Sequence, residues 1–162
     1  MSALKPLTLR RLFQYALPSL VLNMALLPVY IQLPKFYAAS FGLSLTVIGA
    51  IVLLSRAVDA VQDPLIGLFS DKYAATKGRG ALMLGAMPLF GLAMWALFAP
   101  PEASNLLLYI WLGVSLILSL TFHSIVNVNY LALGADIAPT YHQRTKVTTW
   151  REAFTLIGVI VS

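Results

Sequence analysis

Long apolar stretches alternate with short polar ones along the whole chain, and this pattern predicts helices that cross a membrane. Because a helix rises ~1.5 Å per residue and the hydrocarbon layer is ~30 Å thick, a spanning helix needs about 20 apolar residues. The apolar stretches predict five helices, at about residues 13–37, 45–69, 81–98, 106–132 and 148–162. The fifth has only 15 residues, too few to cross, so we expect four complete transmembrane helices and a truncated fifth. On this interpretation residues 1–162 are one incomplete helical domain, the amino-terminal portion of a longer or truncated protein.

The composition agrees with an all-α membrane protein and excludes several other classes. Of the 162 residues, 59% are hydrophobic and only 10% are charged, far outside the balance of a soluble domain. The absence of cysteine excludes a disulfide framework and every metal site that needs a thiolate ligand. The sequence also lacks the HExxH zinc-protease pattern, the phosphate-binding GxxxxGKS/T loop and a nucleophile elbow, so we predict that the protein is not an enzyme.

The basic residues predict how the chain is oriented in the membrane. Nine of the eleven Lys and Arg residues lie in three clusters that alternate with the apolar stretches: Lys5, Arg10 and Arg11; Lys72, Lys77 and Arg79; Arg144, Lys146 and Arg151. Because cytoplasmic connections are enriched in Lys and Arg, the pattern places the amino terminus and the connections at 70–80 and 136–147 in the cytoplasm. The separation of the clusters by whole spans argues against nucleic acid as a partner, despite a net charge of +5.

The second predicted helix carries ionisable residues within its apolar stretch. Arg56, Asp59 and Asp63 are spaced by three and four residues, so they share one face of a helix. A bare charge facing lipid would cost roughly 2.5–3.5 kcal/mol, so this face is expected to meet protein or water. One positive and two negative charges leave an excess negative charge, which a single Na⁺, Li⁺ or H⁺ would cancel. With the carbonyl oxygen of Gln62 beside the two carboxylates, the pattern predicts a cation site.

Alternative interpretations stay open for residues of the first two helices. In a purely structural alternative, Arg56 pairs with Asp59, and Asp63 lies hydrated near the cytoplasmic end of its helix without a ligand. Tyr30 on the first helix is a candidate to stack on a sugar ring, and plain helix packing explains it equally well. Tyr37, near the outer end of that helix, is expected to anchor at the membrane interface.

The connection after the second helix resembles a known transporter motif. In the stretch GLFSDKYAATKGRG, the residues Gly67, Asp71, Lys72, Gly78 and Arg79 are similar to the loop between helices two and three of the major facilitator superfamily. The spacer before the Gly-Arg pair is longer here. The resemblance implies a conformational role for this loop. A merely solvated basic loop would show the same residues, with Gly67 allowing close helix packing and the basic side chains at anionic headgroups.

Two longer motifs resemble the glycoside-pentoside-hexuronide:cation symporter family of that superfamily. They are DAVQDPLIGLFSD on the second helix and NVNYLALGADIAPTYHQRT at the end of the fourth. The resemblance implies the first half of a twelve-helix bundle, in which Asp59, Gln62 and Asp63 are cation ligands. Gln62 replaces an Asn of the family, a longer side chain with the same kind of oxygen. Ser124 on the fourth helix falls near a hydroxyl position that joins the cation site.

On the solute side, the resemblance implies that Asn23, Asn127 and Arg151 bind substrate, with Tyr30 as the candidate for stacking. Asn23 and Asn127 replace two sugar-binding aspartates of a well-known family member, and Leu131 stands where an aromatic platform for the sugar is expected. Two strong acceptors for sugar hydroxyls are therefore absent. The solute is expected to be a different glycoside, a uronate or a non-sugar compound, with Arg151 able to pair with a carboxylate.

Together these observations predict a secondary active transporter that carries a sugar or related small solute by alternating access, in symport with Na⁺, Li⁺ or H⁺. No other cofactor is expected, and the predicted location is the bacterial inner membrane. Two alternatives remain. One is a transporter of lipids or other non-sugar solutes from the same superfamily, and the other is a small non-transporting membrane scaffold that binds helices of a partner.

Overall fold

The five helices expected from the apolar pattern are present in the computed structural model, which describes residues 8–162 apart from the side chain of Lys77. They are α1 (Leu9–Phe41), α2 (Leu45–Lys77), α3 (Arg79–Phe98), α4 (Asn105–Ile137) and α5 (Tyr141–Val161). The all-α fold class predicted from the sequence is therefore confirmed. Lys5 of the first basic cluster lies outside the described residues.

Each helix is longer than the apolar stretch that predicted it. The largest differences at a single helix end are at α2, which continues to Lys77, and at α5, which begins at Tyr141 within the expected cytoplasmic connection. Membrane thickness limits the apolar stretch, whereas a helix continues for as long as its residues favour it, and residues 71–77 include Ala and Lys, which are good helix formers. α2 ends where Gly78 adopts a φ of 81°, a conformation that favours glycine.

The carboxyl end of α3 shows how neighbouring helices compensate for two prolines. The carbonyls of Ala96 and Leu97 would accept from the amides four residues later, but positions 100 and 101 are prolines and have no amide hydrogen. Side chains supply the missing donors: Trp111 Nε1 donates to the Ala96 carbonyl and Tyr37 Oη to the Leu97 carbonyl, both at 2.9 Å. Tyr37 is fully buried, so its side chain is not available to anchor at lipid headgroups as we expected.

The described residues divide into two compact units, and α1 and α4 contribute to both. In the larger unit, Tyr30–Leu131, polar side chains connect α2 and α4. The connected pairs, in order along the helices, are Gln62 with Thr121, Asp63 with Ser124, and Ser70 with Asn129. Because the residue numbers rise together along both helices, α2 and α4 run in the same direction, as two helices that cross a membrane from the same side must.

In the smaller unit, formed by residues 8–29 with Ala132–Ser162, the first part of α1 packs against α5. Asn23 Nδ2 donates to Thr155 Oγ1 at 3.3 Å. The two backbones approach closely at Gly158, where an added Cβ would lie 2.5 Å from the backbone oxygen of Leu20. Small residues at helix interfaces allow such an approach.

The apolar surface of the helices identifies the environment of the chain. Among the described residues, four helices are long and apolar enough to cross a membrane: Leu9–Phe41, Leu45–Thr76, Arg79–Phe98 and Asn105–Ile137. Only 11% of the apolar window of α2 is buried within the chain, so most of this helix needs lipid or further helices around it. The protein is therefore an integral membrane protein.

Candidate functional site

The face of α2 that carries Asp59 and Asp63, called here the acidic face, makes contacts with other residues of the larger unit. Arg56 Nη1 lies 3.4 Å from Asp59 Oδ2, and the Asp59 side chain is only 16% exposed. The guanidinium of Arg56 also lies over the ring of Tyr30, with its central carbon 4.0 Å from the ring centroid, where the ring quadrupole attracts the charge. The ion pair of the purely structural alternative is thus present. It accounts for Asp59 but not for Asp63.

Gln62 and Asp63 contact the neighbouring helix. Ser124 Oγ of α4 donates a hydrogen bond to Asp63 Oδ1, and Thr121 Oγ1 donates to Gln62 Oε1 at 2.7 Å. Ser124 is buried. Asp63 is exposed, as the structural alternative requires, but α4 also supplies it with a hydrogen-bond partner. That partner is a neutral hydroxyl, so the hydrogen bond leaves the negative charge of Asp63 uncancelled.

Thr121 is a site residue that sequence reasoning missed. It lies three residues before Ser124, so both hydroxyls lie on the same face of α4. This spacing is the signal that could have found it. The signal is weak, because a serine or threonine in a helix is also able to bond to its own backbone: Ser115 Oγ donates to the Trp111 carbonyl at 2.6 Å, Ser119 Oγ donates to the Ser115 carbonyl at 2.8 Å, and Thr121 Oγ1 itself lies 2.7 Å from the Ile117 carbonyl.

The backbone of α2 adds an oxygen atom beside these side chains. Pro64 follows Asp63 inside the helix and has no amide hydrogen to donate to the carbonyl of Ala60, one turn earlier. Carboxylate, carbonyl and hydroxyl oxygens are the ligands that hard cations prefer. Two helices of the larger unit therefore collect, within a short stretch, the type of donors that a small cation needs.

The four residues predicted to bind solute belong to different units. Asn23 and Arg151 lie in the smaller unit, whereas Tyr30 and Asn127 lie in the larger one. Arg151 Nε lies 3.1 Å from Glu152 Oε1, so this guanidinium already holds a carboxylate. Their role in binding solute stays a prediction.

Tyr30 has a contact that bears on its two proposed roles. Arg56 covers one face of its ring, so a sugar is able to stack only on the other face. The Tyr30 hydroxyl is buried and has no hydrogen-bond partner among the described residues. A buried polar atom of this kind is costly unless something else supplies a bond, so the hydroxyl is a feature that helix packing alone does not explain.

The residues predicted to form a conformational loop belong mainly to helices. Gly67, Asp71 and Lys72 lie on α2, Gly78 alone connects α2 to α3, and Arg79 is the first residue of α3. Gly67 lies on the second helix as predicted, but the connection predicted at residues 70–80 is wrong for Asp71, Lys72 and Arg79, because the polar residues after position 70 continue the helix. An added Cβ on Gly67 would meet no atom within 4 Å, so close helix packing is not seen at this glycine. Arg79 Nη1 lies 3.1 Å from Asp71 Oδ1, an ion pair that ties the start of α3 to α2.

The long apolar helices and the polar contacts between α2 and α4 define the class of this protein as a polytopic helical membrane protein. Comparison with known proteins then identifies the family. The family model described as MFS/sugar transport protein matches residues 14–162, so the chain belongs to this family. No solved structure matches the chain at a significant level.

Individual relatives support the same assignment. The chain is similar to the inner membrane symporter YicJ of Escherichia coli (strain K12), with 29% identity over 83% of this chain and 29% of YicJ. The uncharacterized symporter YnaJ of Bacillus subtilis (strain 168) is 32% identical over 91% of this chain and 32% of YnaJ. The isoprimeverose transporter of Lactiplantibacillus pentosus is 25% identical over 92% of this chain and 31% of that transporter. The resemblance to the glycoside-pentoside-hexuronide:cation symporter family is thus confirmed, and the chain spans less than a third of the length of these relatives.

Proposed function

We propose that this chain forms part of a cation-coupled glycoside symporter, in which the acidic face of α2 and its partners on α4 bind the coupling cation. The observation that carries the proposal is the hydrogen bond from Ser124 to Asp63, next to an Asp59 that already pairs with Arg56. Two carboxylates and one guanidinium share this face. A single monovalent cation, Na⁺, Li⁺ or H⁺, makes the cluster neutral.

Neutralisation is important because α2 is one of the helices long and apolar enough to cross the membrane. An uncompensated charge near the centre of such a helix costs roughly 2.5–3.5 kcal/mol. Cation binding removes this cost and therefore favours a state in which protein encloses the acidic face. A solute that favours the same state tightens cation binding by the same factor as the cation tightens solute binding. This reciprocity couples the two movements in alternating access.

A neutral glycoside fits the smaller unit better than a uronate does. Arg151 already holds the carboxylate of Glu152, which competes with a carboxylate on the solute. Asn23 offers an amide, which is able both to donate hydrogen bonds to sugar hydroxyls and to accept them. The name of one relative, an isoprimeverose transporter, agrees with a sugar-type solute.

The location and orientation of the chain are part of the proposal. We place it in the bacterial inner membrane, which agrees with its similarity to YicJ, an inner membrane symporter. We place its amino terminus in the cytoplasm, because Arg10 and Arg11 precede the apolar part of α1 and because Lys72 and Arg79 flank the connection from α2 to α3. Successive connections between helices then lie on alternate faces of the membrane.

The test is uptake of labelled glycosides by the full-length gene product under imposed Na⁺, Li⁺ or H⁺ gradients. We expect Asp59→Asn and Asp63→Asn each to abolish cation-driven accumulation while the protein still reaches the membrane. Glu102→Gln makes the same chemical change at an exposed position between α3 and α4, and this control is expected to retain coupling. Undiminished cation dependence in both aspartate variants would overturn the proposed site.

A further inference from the structure

A cavity of about 510 Å³ lies between α2, α3 and α4 in the larger unit, at the end of α2 where charged residues begin. Toward the apolar part of the helices its lining includes Ile66, Phe69 and Ile125. Toward the polar end of α2 its lining includes Lys72, Tyr73 and Thr76. The cavity therefore changes from apolar to polar along the direction in which a membrane changes from hydrocarbon to headgroup.

We propose that this cavity binds an anionic phospholipid of the surrounding bilayer, with an acyl chain between the three helices and the phosphate at Lys72. The volume lies within the range of roughly 300–1,000 Å³ that is typical of small-molecule sites. Lipid tails and the apolar part of the lining match in polarity, so an acyl chain fills the space without burying an unpaired polar group.

The charges around the cavity favour an anionic headgroup. Asp71 lies beside Lys72 in the sequence, but its carboxylate is paired with Arg79 at 3.1 Å. The positive charge of Lys72 is therefore not cancelled by this neighbour. Basic side chains at this depth attract anionic lipids, and a lysine is flexible enough to follow the phosphate. Tyr73 is 40% exposed and, like other aromatic residues with a polar tip, suits the headgroup level.

The same charge argues against a protein helix as the occupant. A helix packed into the cavity would cover Lys72 and bury its ammonium group, which is costly unless a carboxylate arrives with it. A phospholipid brings its own negative charge to this position. A phospholipid therefore matches the apolar lining near Ile66 and also pairs with the Lys72 ammonium group, whereas an apolar helix matches only the apolar lining.

The experiment is native mass spectrometry of the full-length gene product in detergent, titrated with dioleoyl phosphatidylglycerol or with dioleoyl phosphatidylcholine. We expect one phosphatidylglycerol to bind more tightly than phosphatidylcholine. Lys72→Gln is expected to reduce this preference about fivefold, the factor that one basic side chain near anionic headgroups contributes. Lys146→Gln removes the same charge from an exposed position on α5 and is expected to leave the preference unchanged.

Variants of the apolar wall separate the lipid from other occupants. Ile125→Trp narrows the cavity and is expected to weaken binding of both lipids, and Leu82→Phe on α3 makes a smaller addition that is expected to weaken it less. An unchanged lipid preference in Lys72→Gln would overturn the proposal. Unchanged lipid binding in Ile125→Trp or, if that variant does not fold, in Leu82→Phe would also overturn it, and would indicate that protein covers the cavity.

Discussion

Thr121 Oγ1 of α4 lies 2.7 Å from Gln62 Oε1 of α2, next to the contact of Ser124 with Asp63, and its one proton is shared between this oxygen and the Ile117 carbonyl, also at 2.7 Å. This bond fixes the amide of Gln62 beside the acidic face. Thr121→Val keeps the shape of the side chain and removes the donor. We expect it to weaken the apparent affinity for the coupling cation about threefold in uptake assays, since an interhelical hydrogen bond in a membrane contributes about 0.6 kcal/mol.

Thr121→Ser keeps the hydroxyl and is the matched control. It is expected to retain the affinity for the cation that the unmodified protein shows. Equal loss in the Val and Ser variants would contradict a role for the hydrogen bond and would assign the effect to packing of the methyl group.

Ser124→Ala tests whether the Ser124 hydroxyl is a cation ligand or only the hydrogen-bond partner of the Asp63 carboxylate when no cation is bound. If it were only a partner of Asp63, its removal would destabilise the empty site and cation affinity would rise. Our proposal predicts the opposite, a loss of about tenfold or more, because a hydrogen bond or ligand contact to a charged group is worth about 1.5–3 kcal/mol. Ser119→Ala, which removes a hydroxyl that bonds within α4 at 2.8 Å, is expected to leave the affinity unchanged. The measurement is the cation concentration that gives half-maximal uptake.

The fold was largely predictable because membrane thickness imposes a strong pattern on the sequence. Each apolar stretch marks a helix, and the prolines at 100 and 101 mark the end of α3 by simple backbone chemistry. The polar extension of α2 beyond residue 69 was not predictable in this way. Hydropathy reports the environment of a segment, whereas the helix depends on backbone hydrogen bonds that polar residues also form.

The candidate site was predictable only on the helix that carries its charges. Asp59 and Asp63 stood out in the sequence, since charges are rare and costly in an apolar stretch. Thr121 did not, because a hydroxyl in a membrane helix is able to bond to its own backbone and costs little. The contact of Tyr37 was not predictable for a related reason. Its amphipathic side chain is typical of the membrane interface. The Leu97 carbonyl that it bonds lacks a backbone donor because position 101, 64 residues after Tyr37, is a proline without an amide hydrogen.

Tyr37→Phe tests this use of a tyrosine to satisfy the end of α3. The change removes the hydroxyl, and the buried partner, the Leu97 carbonyl, loses a donor that Pro101 is unable to replace. We expect the free energy of unfolding to fall by about 1–3 kcal/mol, the cost of leaving a buried acceptor unpaired. Thermal unfolding in detergent measures this, with Tyr141→Phe as control because Tyr141 is 86% exposed. Equal midpoints for the two variants would contradict the assignment.

Gly158→Ala tests the close approach of α1 and α5. An added Cβ would lie 2.5 Å from the Leu20 carbonyl oxygen, and a backbone atom is unable to move aside as a side chain does. We expect a loss of about 1–3 kcal/mol in stability, the usual cost of overpacking. Gly91→Ala places the same methyl group on α3 with no atom within 4 Å, and the better helix propensity of Ala makes that control neutral or stabilising. Heating followed by size-exclusion chromatography compares the two, and an unaltered midpoint for Gly158→Ala would show that the helices are able to separate without loss.

The orientation in the membrane is testable by labelling, because these 162 residues contain no cysteine and every introduced thiol is therefore unique within them. The basic residues around the α2 to α3 connection predict that Ala75 faces the cytoplasm and that Ser44 faces outward. A membrane-impermeant maleimide is expected to label Ser44→Cys and Ser104→Cys in intact spheroplasts, and Ala75→Cys and His142→Cys only after permeabilisation. All four positions are exposed, so access is set by the membrane and not by burial. Since α2 and α4 run in the same direction, Ser44 and Ser104 must react alike. The reverse labelling pattern at all four positions would show that the amino terminus faces outward. A mixed pattern would contradict the alternation of the spans.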